Sequence, residues 1–462
     1  MKQTIYTLLL LGGLLFNSCS LDIKLEDQFS DPDAITNAKT SREFLSYCYS
    51  LIPETEYELS VLSSDFMPGV LVDKDIAIKD FYNWKDASIS EFSQTLWETN
   101  YNIVANINVL LERVALINPK DEIEREELGV IVSEALCLKA MTYFDLLRLF
   151  ATDYSEGKDM PGIILKDNLD LEFLPRSSMD DSVNEIRNLL TKALTTANPV
   201  STQGIISSSS IYYLLAELEL FAQNYTKAIE YANKLIEAYP EAILTNENYE
   251  RLWSKEDSKE RIFGKYLDGS FYSNIQYDDE DGDYFIINNN ISYSDNDIRS
   301  SHSIFHYPND KPNSEYRFLG KYNAMNKASK QIKYINKQRV AGAYFIIAES
   351  LLKNNDIQAT DVINKYLTKR GAETIDPSLG SEALLEKIME EKQKEFVGEG
   401  SFYFDMKRNR KKDLKRYNIL GRSVSTTIKK DDYRWTFPIP SSEYKYNDKV
   451  VQNKGWKIEV AN

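Results

Sequence analysis

The chain has 462 residues, 42% of them hydrophobic and 27% charged, with only 18 Gly and 13 Pro, which excludes collagen-like, low-complexity and wholly disordered classes. Lys plus Arg number 55 against 71 Asp plus Glu, a formal net charge of −16, so a nucleic-acid partner would have to bind against the field of the whole molecule. The 30 Tyr, 20 Phe and 5 Trp suit a large helix-packed core and equally suit aromatic platforms for a ligand.

At the N-terminus, Lys2 is followed by a short, mainly apolar run from Ile5 to Phe16 and then by Asn17-Ser18-Cys19. One positive charge before a short apolar stretch reads as a secretory signal over residues 1–18, too short for a permanent span, which needs about 20 apolar residues. Ending on a Cys after the small Ser18, it resembles the processing site of bacterial lipoproteins, which implies acylation of Cys19; Phe16 and Asn17 depart from the common pattern. Residues 19–40 carry Asp22, Glu26, Asp27, Asp31 and Asp33 with few aromatics and are expected to form an acidic tether. A single body is expected over residues 41–462.

Residues 59–90 are mixed in pattern, but from Glu91 onward helical periodicity is nearly continuous. Ile103, Ile107, Leu110, Leu111 and Val114 share a face, as do Leu136, Ala140, Tyr143, Phe144 and Leu147. The clearest unit is residues 207–240: a stripe of Ile211, Leu214, Leu215 and Leu218, a turn at Gln223-Asn224-Tyr225, and a second stripe of Ala228, Ile229, Ala232, Leu235 and Ile236 closed by Pro240. Small Ala216 and Ala228 at the crossing fit a tetratricopeptide-like repeat of about 34 residues. Residues 340–370 repeat the pattern, with Asp356 to cap the second helix and Gly371 to end it, and residues 133–197 form a third pair around an inserted segment. The expected fold is therefore all-α, a helical-repeat scaffold with long inserts at 59–90 and 241–338. Inserts of that size in a compact body are usually functional.

Catalytic signatures are missing. His302 and His306 stand four apart, yet Ser303 occupies the place of the Glu in H-E-x-x-H, so a solvated loop pair is expected rather than a metal site. Gly398-Glu399-Gly400 follows a charged helix rather than a strand and is no dinucleotide fingerprint. The acidic run Asp278 to Asp283 fails as an EF-hand because Tyr277 and Asn288 fall where carboxylates are required. Cys48 and Cys137 lie in apolar helical stretches and read as buried thiols, with a disulfide between them left open. Glu395 and Glu399, four apart, read as partners of Lys or Arg rather than as a carboxylate dyad. The basic run Lys407 to Lys412 reads as a solvated face, or as a contact with acidic headgroups or a partner barrel.

Residue by residue, the chain resembles the SusD/RagB outer-membrane lipoproteins of the Bacteroidetes. Trp97, Tyr101 and Asn108 fit the family's W-x-x-x-Y then Asn pattern, and Glu134-Ala135 through Ala140, Tyr143-Phe144 and Leu146 its long first repeat helix. Asp297-Ile298-Arg299, Lys321-Tyr322, Ala348-Glu349-Ser350, Glu395-Phe396, Glu399-Gly400, Asp405 and Phe437-Pro438-Ile439-Pro440 follow in order. Lys139 and Ser401 stand where arginines are usual, Gly342 where a Glu is usual, and Lys369-Arg370 replaces a longer basic end, which implies lost salt bridges.

The resemblance implies a non-enzymatic protein, lipid-anchored on the outer membrane and facing the exterior. It implies capture of a nutrient glycan and delivery to a SusC-like TonB-dependent transporter, with no cofactor, no metal and no nucleic acid. Peptide capture, a protein-interaction scaffold without a small ligand, and a hydrolase with scattered carboxylates remain open alternatives. By analogy with the family's binding surfaces, the ligand-binding residues are expected to be Tyr82 and Trp84 with Tyr272, Tyr284, Asn289 and Tyr293 from the central insert, burial being the alternative for each aromatic. Trp97 matches a structural position and is expected to pack.

Overall fold

The computed structural model describes residues 32–457, apart from 171, 201–202, 255, 268–276, 279–281, 310–313 and 324–332. The expected signal, Cys19 and most of the tether lie outside the described residues. No described helix is long and apolar enough to cross a membrane.

The body begins before residue 41. Ile35 and Ala38 are buried in the main core, Asp33 pairs with Arg113 at 2.8 Å, and Asn37 and Thr40 close a reciprocal capping box at the start of α1 (Ala38–Ser50). The tether reading fails here because acidic composition hid one apolar anchor and one cap. Next come α2 (Glu56–Leu62), strand β1 (Phe66–Pro68) and α3 (Ile76–Tyr82), then two long helices, α4 (Asp86–Ala115) and α5 (Glu122–Phe150). Asp121 Oδ1 caps α5 by accepting from Glu124 N at 2.8 Å, so this helix starts well before Ser133; its charged first turns show little apolar periodicity.

The fold is mostly helical. The expected pairs form helix hairpins: α5 with α6 (Met179–Ala193), α7 (Ser208–Phe221) with α8 (Tyr225–Ala238), and, beyond β2 (Arg261–Tyr266), β3 (Phe285–Ile287) and β4 (Tyr334–Arg339), α9 (Val340–Lys353) with α10 (Ala359–Lys369). Helix α8 packs on α9 across the central insert, so hairpins remote in sequence share one core, in which Ala216 and Ala228 are both fully buried. Asp356 Oδ1 accepts from Gln358 N at 2.9 Å before α10, and Gly371 ends it at φ +66°.

The W-x-x-x-Y and Asn positions act as a clamp. Tyr101 Oη bonds both the N–H and the carbonyl of Ile164, Tyr143 Oη does the same to Lys166, and Asn108 Nδ2 donates to Lys166 O at 3.0 Å, fastening the 151–178 insert. Lys139 lies in this clamp and keeps an ion pair with Asp167 at 3.2 Å, so no salt bridge is lost there. Arg370 likewise stays paired, buried against Glu260. At Ser401 no ion pair forms: its hydroxyl has no hydrogen-bond partner among the described residues, and with Gly342, Arg148, Glu217 and Asp405 it lines a pocket of about 60 Å³, where the Tyr213 ring occupies the space a Cβ on Gly342 would need.

The central insert is held to α11 (Ser381–Phe396) and the turn after it by buried ion pairs: Arg299, itself paired with Asp297 at 2.6 Å, to Glu391 at 2.6 Å, Lys321 to Glu399 at 2.7 Å, and Arg339 to Glu395 at 2.7 Å and Glu399 at 2.8 Å. Burial alone would raise the Glu395 carboxyl, but the guanidiniums of Arg339, Arg370 and Arg299 outweigh it and hold it down at about 2. Glu395 and Glu399 thus partner cations, as their spacing predicts. The turn between them and α12 (Ser401–Arg408) needs glycine. Gly400 sits at φ +75° with Glu56 Cα 2.9 Å from where a Cβ would stand.

Two expectations are corrected, and one is borne out. The basic run is a solvated face only at its end: Lys407 is buried and donates to the carbonyls of Arg148 and Ala151 at 2.7 Å, Arg408 binds Glu349 and Asp405, and Arg410 pairs with Glu156, whereas Lys411 and Lys412 are exposed and form surface pairs with Glu382 and Glu386. His302 is buried beside Lys321 and only His306 is exposed, because the local helix ends at Ser303 and the two never share a face. Cys48 and Cys137 are separate buried thiols, and burial pushes Cys48 up to about 12. Of the acidic run, Tyr277–Asp278 and Gly282–Asp283 pair antiparallel, while residues 279–281 lie outside the described residues.

Candidate functional site

The two long inserts meet. Strand β1 pairs antiparallel with β3, in the register Phe66 to Ile287 and Pro68 to Phe285, and Gly69 N donates to Tyr284 O at 2.7 Å. Behind this ribbon Met67, Ile286, Tyr307 and Phe318 are buried, with Phe305, Tyr316, Tyr417 and Leu420 packed half-exposed at its edge. Tyr417 ends β5 (Leu414–Tyr417), whose hairpin partner is β6 (Val424–Ile428).

Between α3 and the β5–β6 turn lies a cleft of about 290 Å³, lined by Pro68, Val72, Asp73, Lys79, Asn83, Tyr417, Asn418, Ile419, Arg422 and Ser423. Its α3 wall is set by Asp75, whose side chain caps the helix by accepting from Ile78 N at 3.1 Å, and by a Lys79–Asp73 ion pair at 2.6 Å. Asn83 donates to Lys79 O at 2.9 Å and accepts from Ser425 Oγ at 2.7 Å, joining the two walls. The opposite wall is a tight turn. Asn418 N donates to Ser423 O and Asn418 Nδ2 to Ser423 Oγ, each at 2.9 Å, while Leu420 and Gly421 take φ of +55° and +68°. A leucine in that region costs about 1–2 kcal/mol, and its packing against the aromatic edge holds it there. The cleft thus offers apolar carbon surface, a half-exposed Tyr ring, amides and hydroxyls, and charged groups of both signs. That donor and acceptor mix suits a polyhydroxylated ligand held by stacking and hydrogen bonds.

The six residues expected to bind ligand do not converge. Tyr82 is 1% exposed and Trp84 0%, so neither ring offers a face to a ligand; segment 59–90 lines the cleft through Asp73, Lys79 and Asn83 instead. Tyr293 donates its hydroxyl to Lys394 O at 2.8 Å, which ties it to α11. Tyr284 is half-buried against the Tyr82 cluster and Asn289 is exposed, while Tyr272 lies outside the described residues. Trp97 packs, as expected, with Nε1 donating to Glu443 at 3.3 Å. Sequence reasoning missed Tyr417, Asn418 and Arg422, although a β-prone run on each side of Asn418-Ile-Leu-Gly421 is a hairpin signal.

A family model described as SusD family matches residues 276–456, and one described as starch-binding associating with outer membrane matches residues 22–220. No curated protein matches the chain in sequence. Among solved structures, a SusD superfamily protein from Bacteroides thetaiotaomicron is 20% identical over 90% of this chain and 100% of its own, with a TM-score of 0.73. A SusD-like carbohydrate binding protein from Bacteroides vulgatus is 19% identical over 90% of this chain and 97% of its own, with a TM-score of 0.73. A SusD superfamily protein from Bacteroides fragilis is 18% identical over 90% of this chain and 100% of its own, with a TM-score of 0.71. At such identities the likeness is one of fold. The two family models, falling in order on the N- and C-terminal parts of the chain, carry the assignment: the chain belongs to the SusD/RagB family.

Proposed function

We propose that this chain is a cell-surface glycan-binding protein that captures a nutrient oligosaccharide outside the outer membrane and delivers it to a SusC-like TonB-dependent transporter. The observation that carries the reading is the match of residues 22–220 to a family described as starch-binding associating with outer membrane. The cleft between α3 and the β5–β6 turn supports it with a half-exposed Tyr ring and with Asn and Ser side chains held in place by their own hydrogen bonds, the groups a shallow, wet sugar site uses. Cys19 is the proposed lipid anchor, and the proposed role needs no catalytic group and no cofactor.

The test is a glycan array followed by calorimetry on the purified chain. Binding to an oligosaccharide class, lost when Tyr417 and Asn83 are both replaced by Ala, supports the reading; binding to no glycan overturns it. For the anchor, wild type should take up a labelled fatty acid, and Cys19→Ala should take up none and move to the soluble fraction of a strain lacking the transporter. Wild type without label overturns the lipid claim.

A further inference from the structure

The charges of the cleft do not balance. Lys79 and Asp73 cancel at 2.6 Å, whereas Arg422, exposed at the opposite lip, has no carboxylate within 4.0 Å among the described residues. Tyr316 lies close enough to feel its charge, and Glu315, hydrogen-bonded to Tyr316, closes no ion pair with it. Among the described residues Arg422 is thus the one charged group of the cleft lining without an ion-pair partner, in a chain whose net charge is −16.

Its root is also fixed. Arg422 follows the left-handed Leu420-Gly421 pair in a turn closed by Gly421 N to Asn418 O at 3.0 Å and by the two Asn418–Ser423 bonds at 2.9 Å. A donor on such a pre-set turn loses less freedom on binding than one on a mobile loop. A guanidinium has the fork geometry to hold a carboxylate through two parallel N–H bonds, and the neighbouring Tyr417 ring and the Asn418 and Ser423 side chains can serve the sugar ring that carries it.

We infer that the ligand of this cleft is a carboxylate-bearing saccharide, with Arg422 as the residue that reads its charge. The inference rests on the glycan-binding function proposed above and narrows it to one class. Two sources share the chemistry, hexuronic acids and sialic acids, and the experiment separates them.

The full chain is titrated by calorimetry with hexuronate oligosaccharides and with sialylated oligosaccharides, each alongside its carboxyl-reduced or methyl-esterified form, which keeps the ring and removes the charge. One acid series should bind at least tenfold tighter than its neutral counterpart. Arg422→Gln should abolish that preference without moving the melting temperature, since the side chain is exposed, and Arg422→Lys should restore only part of it. If neutral glycans bind and no acid is preferred, the charge class is wrong while the glycan function stands. If an acid is preferred equally by wild type and Arg422→Gln, the assignment of Arg422 is wrong. If no glycan of either kind binds, the glycan function falls and this inference with it.

Discussion

The guanidinium carbon of Arg416 lies 3.5 Å from the centroid of the Tyr82 ring, and its Nε donates to the Tyr82 carbonyl at 2.7 Å. Arg416 also donates to the carbonyls of Ser63, at 2.6 Å, and Val61, while Tyr82 Oη accepts from Tyr417 N at 3.1 Å. This pair fastens α3 to the β5–β6 hairpin, so it builds the cleft without lining it. Tyr82→Ala should therefore cost about 3–5 kcal/mol of folding free energy. Tyr82→Phe, which removes the acceptor of the part-buried Tyr417 N–H, should cost about 0.5–1.5 kcal/mol. Denaturant titration checks both; a Tyr82→Ala protein as stable as wild type would show the ring is not the strut described.

Trp84 should behave the same way. Its Nε1 donates to Leu62 O at 3.1 Å, the Trp435 ring packs edge-on at 4.7 Å, and the side chain is fully buried. Trp84→Ala is expected to lose about 3–5 kcal/mol of stability, since a cavity is left in a dense core. Tyr417→Ala removes a half-exposed ring and should leave the melting curve nearly in place while weakening ligand binding by about 1 kcal/mol or more. Melting and titration on the two variants together decide which tryptophan and tyrosine support and which contact.

How far the sequence reaches depends on the range of the interaction. The α7–α8 hairpin was legible because Ile211, Leu214, Leu215 and Leu218 and their partners on α8 repeat at helical spacing within one local window. Trp84 was misread for the converse reason. It sits at φ +57° just after α3, in no stripe, and what buries it are Trp435 and Tyr403, more than three hundred residues away. The start of the basic run misled likewise, because what buries it lies on other elements: Arg408 pairs with Glu349 on α9, and Lys407 binds carbonyls at the end of α5. The cleft combines segments 68–83 and 417–423, and no short window holds both of its walls.

Helix packing at Ala216 offers a separate check. Ala216 on α7 and Ala228 on α8 are both fully buried in the core those helices share with α9. Ala216→Leu adds atoms at a fully buried helix contact and should destabilise by roughly 1–3 kcal/mol, read as a lowered melting temperature. An exposed change on the same hairpin, Lys227→Ala, loses only a surface pair with Glu230 and should move it little. Equal curves for wild type and Ala216→Leu would mean that α7 and α8 do not cross there.

Two buried titratable groups should give the fold opposing pH slopes. The Asp65 carboxylate accepts from Gln393 Nε2 and Gly398 N, each at 3.2 Å, yet burial outweighs these bonds and pushes it up to about 6 from an ordinary 3.8. The folded state therefore holds the Asp65 proton more tightly than the unfolded chain. Its contribution to stability is complete below about pH 4 and lost as pH rises to about 6. His302 does the reverse. Burial, with Lys321 adding, pulls it down to about 4 from an ordinary 6.5, so the folded state excludes a proton the unfolded chain would take. That contribution is complete above about pH 6.5 and lost as pH falls towards 4. Each effect is on the order of 3 kcal/mol, so in wild type they largely cancel across this window. Single variants uncouple them: the stability of Asp65→Asn relative to wild type should climb as pH rises from about 4 to 6, and that of His302→Gln should fall. Chemical denaturation at half-unit pH steps reads both difference curves, and two curves sloping the same way would refute the assignment.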